Sequence, residues 1–315
     1  MDLMDYKVLA YYYIGKIEDP LAEVVLHKEF LNARDFRGRI YISEQGINGQ
    51  SSGSPLSADE YIAWMASRFK NISFKIHAAH EHPFPKMTVK YRKQLVAIDC
   101  EVDFSHVGEH VSPQRWKEML EERGEETLVL DVRNEYEWKV GHFEGSELPK
   151  LETFREFPAY AKKLKEERDP KNTVVMMCCT GGIRCEFFSA LMKKEGFEKV
   201  YQLDGGIINY GLQEGEEHWK GKLFVFDDRL VVPIGEGEAP ISECFHCAVA
   251  NDVYYNCANM DCNKLFLCCS DCLKAHQGCC SAECKCAKRV RPYQESAKPF
   301  RKWDRQWKAG HCSLS

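Results

Sequence analysis

Eight cysteines toward the C-terminus constrain this chain more than any other feature. Cys244, Cys247, Cys257, Cys262, Cys269, Cys272, Cys280 and Cys284 follow the pattern C-x2-C-x9-C-x4-C-x6-C-x2-C-x7-C-x3-C. The segment around them has few aliphatic residues, so it cannot build an ordinary hydrophobic core and must fold around cross-links. Disulfides and metal–thiolate bonds are the two chemistries available. The chain opens "MDLMDYKVLAYYYIG", with two aspartates and no basic stretch ahead of its apolar residues, which reads as a first strand rather than an export signal. Sixteen cysteines without such a signal are expected to stay reduced, in the cytoplasm. Paired cysteines at knuckle spacing then point to structural zinc, with eight thiolates filling two four-cysteine tetrahedral sites. Cys268, Cys279, Cys286 and Cys312 are left over, and His246 or His276 can replace a thiolate, so the ligand set stays open at this level.

The remainder of the 315 residues is ample for two further domains with real cores. No run of eighteen apolar residues occurs, which excludes a membrane-spanning helix. The net charge of −5 hides an asymmetry. From Lys285 to the end, nine Lys or Arg stand against Glu295 and Asp304, a local charge of +7. Arg289, Arg291, Arg301 and Arg305 are therefore candidate contacts to a polyanion, beside the plainer reading of a solvated tail. Nothing in the sequence sets an oligomeric state.

Residues 1–105 read as one unit. "YKVLAYYYIGKI" is strand-like, and "DPLAEVVLHKEFLNARDF" places Leu21, Val24, Val25 and Leu31 at helical spacing. "GRIYIS" is a short alternating strand and "EQGINGQSSGS" a glycine-rich turn with a strand behind it. Ser57 and Glu60 suggest a capping box opening the helix "ADEYIAWMASRF", and "ISFKIHAA" closes the set. The order βαββαβ implies a ferredoxin-like α+β sandwich. In "KMTVKYRKQLV", Lys90 and Arg92 alternate with Val89 and Tyr91, giving a candidate RNA-contacting face or simply a solvated one.

Residues 112–226 change period. Ser112-Pro113 is a helix start, and "TLVLDV" and "TVVMMC" are continuous apolar runs of the kind that form parallel strands buried on both faces. They alternate with the helical stretches "FPAYAKKLKEE" and "RCEFFSALMKKEG", and "KVYQLDGG" adds another strand. The expectation is a doubly wound parallel α/β sheet, with ligands at the carboxyl ends of its strands. The Cys-rich remainder, residues 240–315, is the third unit.

"CCTGGIRCE" lies at such a strand end. Its glycines allow successive backbone N–H groups to converge, the following helix start adds positive potential, and Arg184 supplies a permanent cation. All three favour a thiolate. Cys178 to Arg184 has the C-x5-R spacing of cysteine phosphatases, whereas Cys179 to Arg184 has the C-x4-R spacing of rhodanese sulfurtransferases. "LDVRNEYEWKVGHFEGS" and "LDGGIINY" resemble the rhodanese Asp-Val-Arg strand end, the Gly-His-x-x-Gly turn and a later glycine turn. That resemblance makes Cys179 the catalytic position. Thr180, Gly181, Gly182, Ile183 and Arg184 then form its supporting loop, and Cys178 is the buried last residue of the strand. Asp131, Arg133 and His142 fit a buried ion pair and a turn-fixing histidine better than catalysis. Cys185 reads equally well as a thiol resolving an oxidised Cys179 or as core.

Together, "GRIYISEQGINGQSSG", "FPKMTVKYRKQLV", "CTGGIRCE" and the Cys-rich end resemble the bacterial rhodanese-domain family of tRNA uridine hydroxylases over essentially the whole chain. The resemblance implies an oxidoreductase of monooxygenase type that forms 5-hydroxyuridine at wobble position 34, with molecular oxygen as co-substrate and the anticodon arm of tRNA as partner. It also implies dependence on Cys179. No flavin, nicotinamide or haem motif is present. One departure is Phe187, where the family commonly has lysine. A persulfide-based sulfurtransferase and a non-catalytic RNA-binding protein are the alternatives.

Overall fold

Nine residues, Tyr6–Ile14, form strand β1 with Val8, Leu9, Ala10 and Tyr11 buried, as the opening stretch suggests. The structure, a computed structural model, describes residues 5–236 and 239–293. Arg301, Arg305 and Cys312 lie outside the described residues. After β1 come α1 (Pro20–Leu31), β2 (Phe36–Ser43), β3 (Gly46–Gly53), α2 (Pro55–Arg68) and β4 (Ser73–Ala79). The sheet order β4-β1-β3-β2 with antiparallel neighbours is that of a ferredoxin-like sandwich, and β5 (Met87–Tyr91) extends it in parallel beside β2. One sheet face packs Leu9, Ile40, Ile42 and Ile47 against Val24 and Leu31 of α1 and Tyr61 and Met65 of α2. Residues paired across strands share a face. The opposite face therefore carries the row Tyr12–Asn48–Tyr41–Lys90 and, beside it, Ala10–Gln50–Arg39.

Two local readings are corrected. Helix α2 is capped by Ser54, whose Oγ accepts from the Ser57 N–H at 3.4 Å, and Pro55 opens its first turn. A proline already set at helical φ after a serine starts the helix earlier than Ser57 and Glu60 suggested. In α1, Val24 and Leu31 are buried, but Leu21 is 63% and Val25 51% exposed. The buried stripe runs instead through Glu23, Val24, His27 and Leu31. His27 Nδ1 meets the Glu23 carbonyl at 3.0 Å and lies equally close to its Oε1, while Glu23 also pairs with Arg68.

The second unit contains β6 (Glu109–Val111), α3 (Pro113–Glu122), β7 (Thr127–Asp131), α4 (Glu135–Trp138), β8 (Gly141–Phe143), α5 (Phe157–Glu167), β9 (Val174–Cys178), α6 (Ile183–Lys194), β10 (Lys199–Leu203) and α7 (Gly206–Glu214). Its main sheet is parallel throughout, in the order β6-β10-β9-β7. Alternate strand residues serve opposite cores. Leu128, Leu130, Val175 and Met177 meet Phe157, Leu164, Phe187 and Phe188 of α5 and α6. Val129, Met176, Cys178 and Leu203 meet Trp116 and Leu120 of α3 and Ile207 and Tyr210 of α7. Helices on both faces explain why these strands read as unbroken apolar runs.

Beyond it, Tyr254–Asn256 and Leu265–Leu267 form a small hairpin, followed by short helices Ser270–Ala275 and Ala282–Lys285. The core here consists largely of cysteines, with Ala258 and Phe266. The Tyr254 hydroxyl donates to the Tyr136 carbonyl at 2.7 Å, joining this segment to the parallel-sheet unit. Among the described residues no helix is long and apolar enough to cross a membrane.

Candidate active site

Strand β9 ends at Cys178, and α6 begins at Ile183, so residues 179–182 form the turn at the carboxyl edge of the sheet. Gly182 has φ +100°, a conformation a side chain resists, and a Cβ there would lie 3.1 Å from the Tyr12 ring. Its N–H instead donates to Cys179 Sγ at 3.1 Å. The alternation of the strand sends neighbouring thiols apart. Cys178 belongs to the core beneath α3 and α7, and Cys179 lies with Cys185 on the α5–α6 side.

Electrostatics separate the three thiols further. Burial alone would push the Cys179 thiol up. The Cys185 thiol hydrogen bond, the Arg184 charge and the backbone N–H groups of Cys185 and Gly182 outweigh it and bring Cys179 down to about 6. Cys178 is driven well above the ordinary thiol range by burial and by Asp131. Cys185 is driven up by burial and by its hydrogen bond to Cys179. At neutral pH Cys179 is the thiolate of the three, and Cys185 is the protonated donor beside it.

Arg184 does not hang free over the loop. Its guanidinium is buried and meets Glu137 in a two-pronged pair, with Nη2–Oε2 at 2.7 Å. Thr180 Oγ1 donates to the same carboxylate at 3.2 Å. Glu137 is the N3 residue of a capping box with Asn134 at the start of α4. That Asn-x-x-Glu spacing was the sequence signal for it, and its partner across the fold was not readable. Asp131 and Arg133 form a fully buried ion pair, Nη2–Oδ2 2.6 Å, and Arg133 also donates to the Gly141 carbonyl. His142 Nδ1 lies 3.0 Å from the Trp138 carbonyl. All three positions therefore hold the turn after β7. Phe187 is fully buried and meets Phe104 edge-on at 4.9 Å, so the position without lysine is spent on packing.

A further network escaped the sequence reading because it spans two units. The Tyr12 hydroxyl of β1 donates to Glu186 Oε1 of α6 at 2.8 Å. Gln202 donates to Glu186 Oε2 at 3.3 Å, and His110 lies 3.2 Å from Glu186 Oε1. Hydrogen bonds to Asp204 and Glu186 raise His110 to about 9, so it is a cation at neutral pH. The first turn of α6 is thus tied to the N-terminal sheet.

The open face of that sheet and the loop enclose a cavity of about 370 Å³. Cys179, Thr180, Gly181, Ile183 and Arg184 form one wall, and Tyr12, Tyr41, Asn48 and Gln50 line the other, with Phe226 at the side. Lys90 and Arg92 are exposed, and Arg92 lies over the Tyr41 ring at 5.1 Å. Arg289 pairs with Asp261 at 2.7 Å, and Arg291 donates to Asn263 Oδ1 at 2.6 Å. These two arginines therefore brace the Cys-rich segment, and no contact among the described residues joins them to Lys90 or Arg92.

The eight paired cysteines gather into two quartets able to hold a metal ion: Cys244, Cys247, Cys269 and Cys272, and Cys257, Cys262, Cys280 and Cys284. The quartets interleave along the chain. Sulfur–sulfur separations are 3.8 Å for Cys247–Cys269, 3.7 Å for Cys262–Cys280 and 3.8 Å for Cys280–Cys284. A tetrahedral ion with bonds near ~2.3 Å requires edges of about 3.8 Å, whereas a disulfide needs ~2.05 Å. The donor set fits a thiophilic metal. Cys268 and Cys279 are buried outside both quartets, Cys286 is exposed, and His246 stacks on His276 at 3.8 Å rather than joining either.

A loop thiolate at the carboxyl edge of a doubly wound sheet defines a rhodanese-type cysteine protein, here with an additional sheet closing over the loop. Residues 112–212 match the rhodanese-like domain, 6–95 the UPF0176 acylphosphatase-like domain and 220–285 the rhodanase C-terminal domain. The tRNA uridine(34) hydroxylase of Protochlamydia amoebophila is 57% identical over 94% of this chain and 93% of its own length. That of Chlamydia pneumoniae is 56% identical over 94% and 93%. The chain belongs to the tRNA uridine(34) hydroxylase family.

Proposed function

We propose that this protein hydroxylates uridine at wobble position 34 of tRNA, forming 5-hydroxyuridine with molecular oxygen as co-substrate and Cys179 as the catalytic group. Family membership supports the reaction class. The observation that carries the residue assignment is a depressed, loop-held thiolate opening into a cavity large enough for one nucleobase. The base leaves the anticodon stack to enter it. Addition of Cys179 Sγ to C6 forms a carbon–sulfur bond and moves the 5,6 electron pair to C5, making C5 nucleophilic toward an electrophilic oxygen atom formed from O2, whose second atom leaves as water with two electrons and two protons from an external two-electron reductant. Loss of the C5 proton and of the thiolate then restores the ring. Gly182 N–H, Cys185 and Arg184 keep Sγ anionic before addition and accept it again on release. The sulfurtransferase and pure binding alternatives are not favoured by the relatives.

In this reading residues 1–105 form the sheet that covers the site, residues 112–226 carry the thiolate, and residues 240–315 form a zinc-stabilised segment with a basic end. Zinc fits both quartets: four thiolates neutralise and bury the ion, which would cross-link the hairpin and short helices. Lys90, Arg92 and the basic end supply phosphate contacts to the anticodon arm. A cytoplasmic setting agrees with the reduced cysteines and the tRNA substrate. The test is mass spectrometry of tRNA nucleosides from cells lacking the protein, with and without its gene restored. We expect 5-hydroxyuridine at position 34 only after restoration; equal levels in both would overturn the proposal.

A further inference from the structure

The wall of the cavity facing Cys179 carries a feature that thiolate chemistry does not require. Asn48 and Gln50 lie two residues apart on β3, the middle strand of the N-terminal sheet, and both face the cavity. Both are half-buried, yet neither side-chain amide has a hydrogen-bond partner among the described residues. Amides that line a cavity and find no partner in the protein are free to hydrogen-bond whatever enters it. Two of their neighbours on the same face are already engaged: Tyr12 donates to Glu186, and Arg39 donates to the Phe226 carbonyl at 3.3 Å.

We infer that Asn48 and Gln50 read the polar edge of the target uracil, and so determine which base the cavity accepts. This rests on the uridine hydroxylase reading. Uracil presents an acceptor at O2, a donor at N3 and an acceptor at O4. A primary amide offers one acceptor and two donors, so two of them satisfy that edge completely. Residues i and i+2 of a strand stand about 6.6 Å apart on one face, which lets the two amides converge on a single edge. In the six-membered ring N3 lies opposite C6. A base held by N3 against β3 therefore turns C6 toward the opposing wall, where Cys179 stands. Tyr41 and Phe226 contribute aromatic faces to the same cavity, against which the ring can stack.

The inference is tested with the full-length protein and anticodon stem-loop RNAs carrying uridine or 3-methyluridine at position 34. Methylation at N3 removes the donor and leaves the C5–C6 bond unchanged. Wild-type protein should bind the uridine form about ten-fold more tightly, the scale of one or two net hydrogen bonds. The Asn48→Ala, Gln50→Ala double variant should bind the uridine form about ten-fold more weakly than wild type and lose the preference. Its Cys179 alkylation rate and thermal unfolding should match wild type, showing an intact site. A wild type indifferent to N3 methylation, or a double variant retaining the preference, overturns the base-reading wall. A wild type that leaves uridine 34 unmodified in cells overturns the hydroxylase reading instead, so the two failures are distinguishable.

Discussion

Cys179 and the eight paired cysteines of the C-terminal segment are the same chemical group held in opposite ways. The Cys179 loop sits on a packed core of large aliphatic and aromatic side chains, and its negative charge is met by the protein's own groups: the N–H groups of Gly182 and Cys185, the Cys185 thiol and a buried guanidinium. The quartets sit in a core made mostly of cysteine, with the four ligand sulfurs of each within 4.8 Å of one another, so that ionised together they would repel unless a metal cation lay between them. Where packing already determines the fold, a thiol can be tuned for reaction. Where packing is missing, thiols make up most of the core, and in the proposed reading a bound zinc supplies the free energy.

The sharpest way to break this contrast is to strip the zinc proposed for the two quartets. Structural zinc in small thiolate sites contributes on the order of 10 kcal/mol, more than a segment with so few aliphatics can replace. A high-affinity chelator under reducing conditions should abolish amide-exchange protection across residues 240–285 while residues 6–212 stay protected. Elemental analysis of untreated protein should give about two zinc ions per chain. Less than about half an equivalent in reduced, folded protein would contradict the contrast.

A smaller effect sharpens the other side. The Cys179 thiol is depressed, so its reactive form is present above about pH 6 and lost as the pH falls through that value. Its alkylation rate by iodoacetamide should follow that midpoint and should not respond to chelation. Arg184→Met removes the cation and leaves Glu137 unpaired, so the midpoint should rise toward the ordinary thiol range. Arg184→Lys should move it less, because the charge remains while the fork to Glu137 is lost. An unmoved midpoint in Arg184→Met would mean that the loop N–H groups and Cys185 suffice.

The features carried by local pattern were legible in the sequence. Continuous apolar runs announced the parallel strands, the βαββαβ order announced the first sheet, and the glycine turn after "VVMMCC" located the thiolate loop. Interactions between distant segments were not legible. Glu137 reads as a helix cap, and only the fold shows it against Arg184, 47 residues away. Tyr12 reads as one tyrosine among three in β1, yet it reaches Glu186 from the other unit. The cysteine spacings suggested two quartets, but the interleaved pairing depends on how the hairpin and two short helices fold back. Helix α1 misled because Leu21 and Val25 fit a helical stripe as well as the buried residues do, and the polar pair Glu23–His27 occupies the packed face instead.

The central claim is that Cys179, not its neighbour Cys178, performs the chemistry. Its most direct test is the amount of 5-hydroxyuridine at position 34 in tRNA from cells lacking the protein and supplied with wild type, Cys179→Ser or Cys178→Ser, with circular dichroism of each purified variant as the folding control. Serine is nearly the size of cysteine, but its hydroxyl stays protonated where the loop ionises a thiol. Cys179→Ser should fold normally and form no 5-hydroxyuridine. Cys178→Ser should retain most of the wild-type level with some loss of stability, because its side chain is buried in the core on the opposite face of the sheet. A folded Cys178→Ser without product, beside an active Cys179→Ser, would contradict the account and move the reacting thiol to the longer C-x5-R frame.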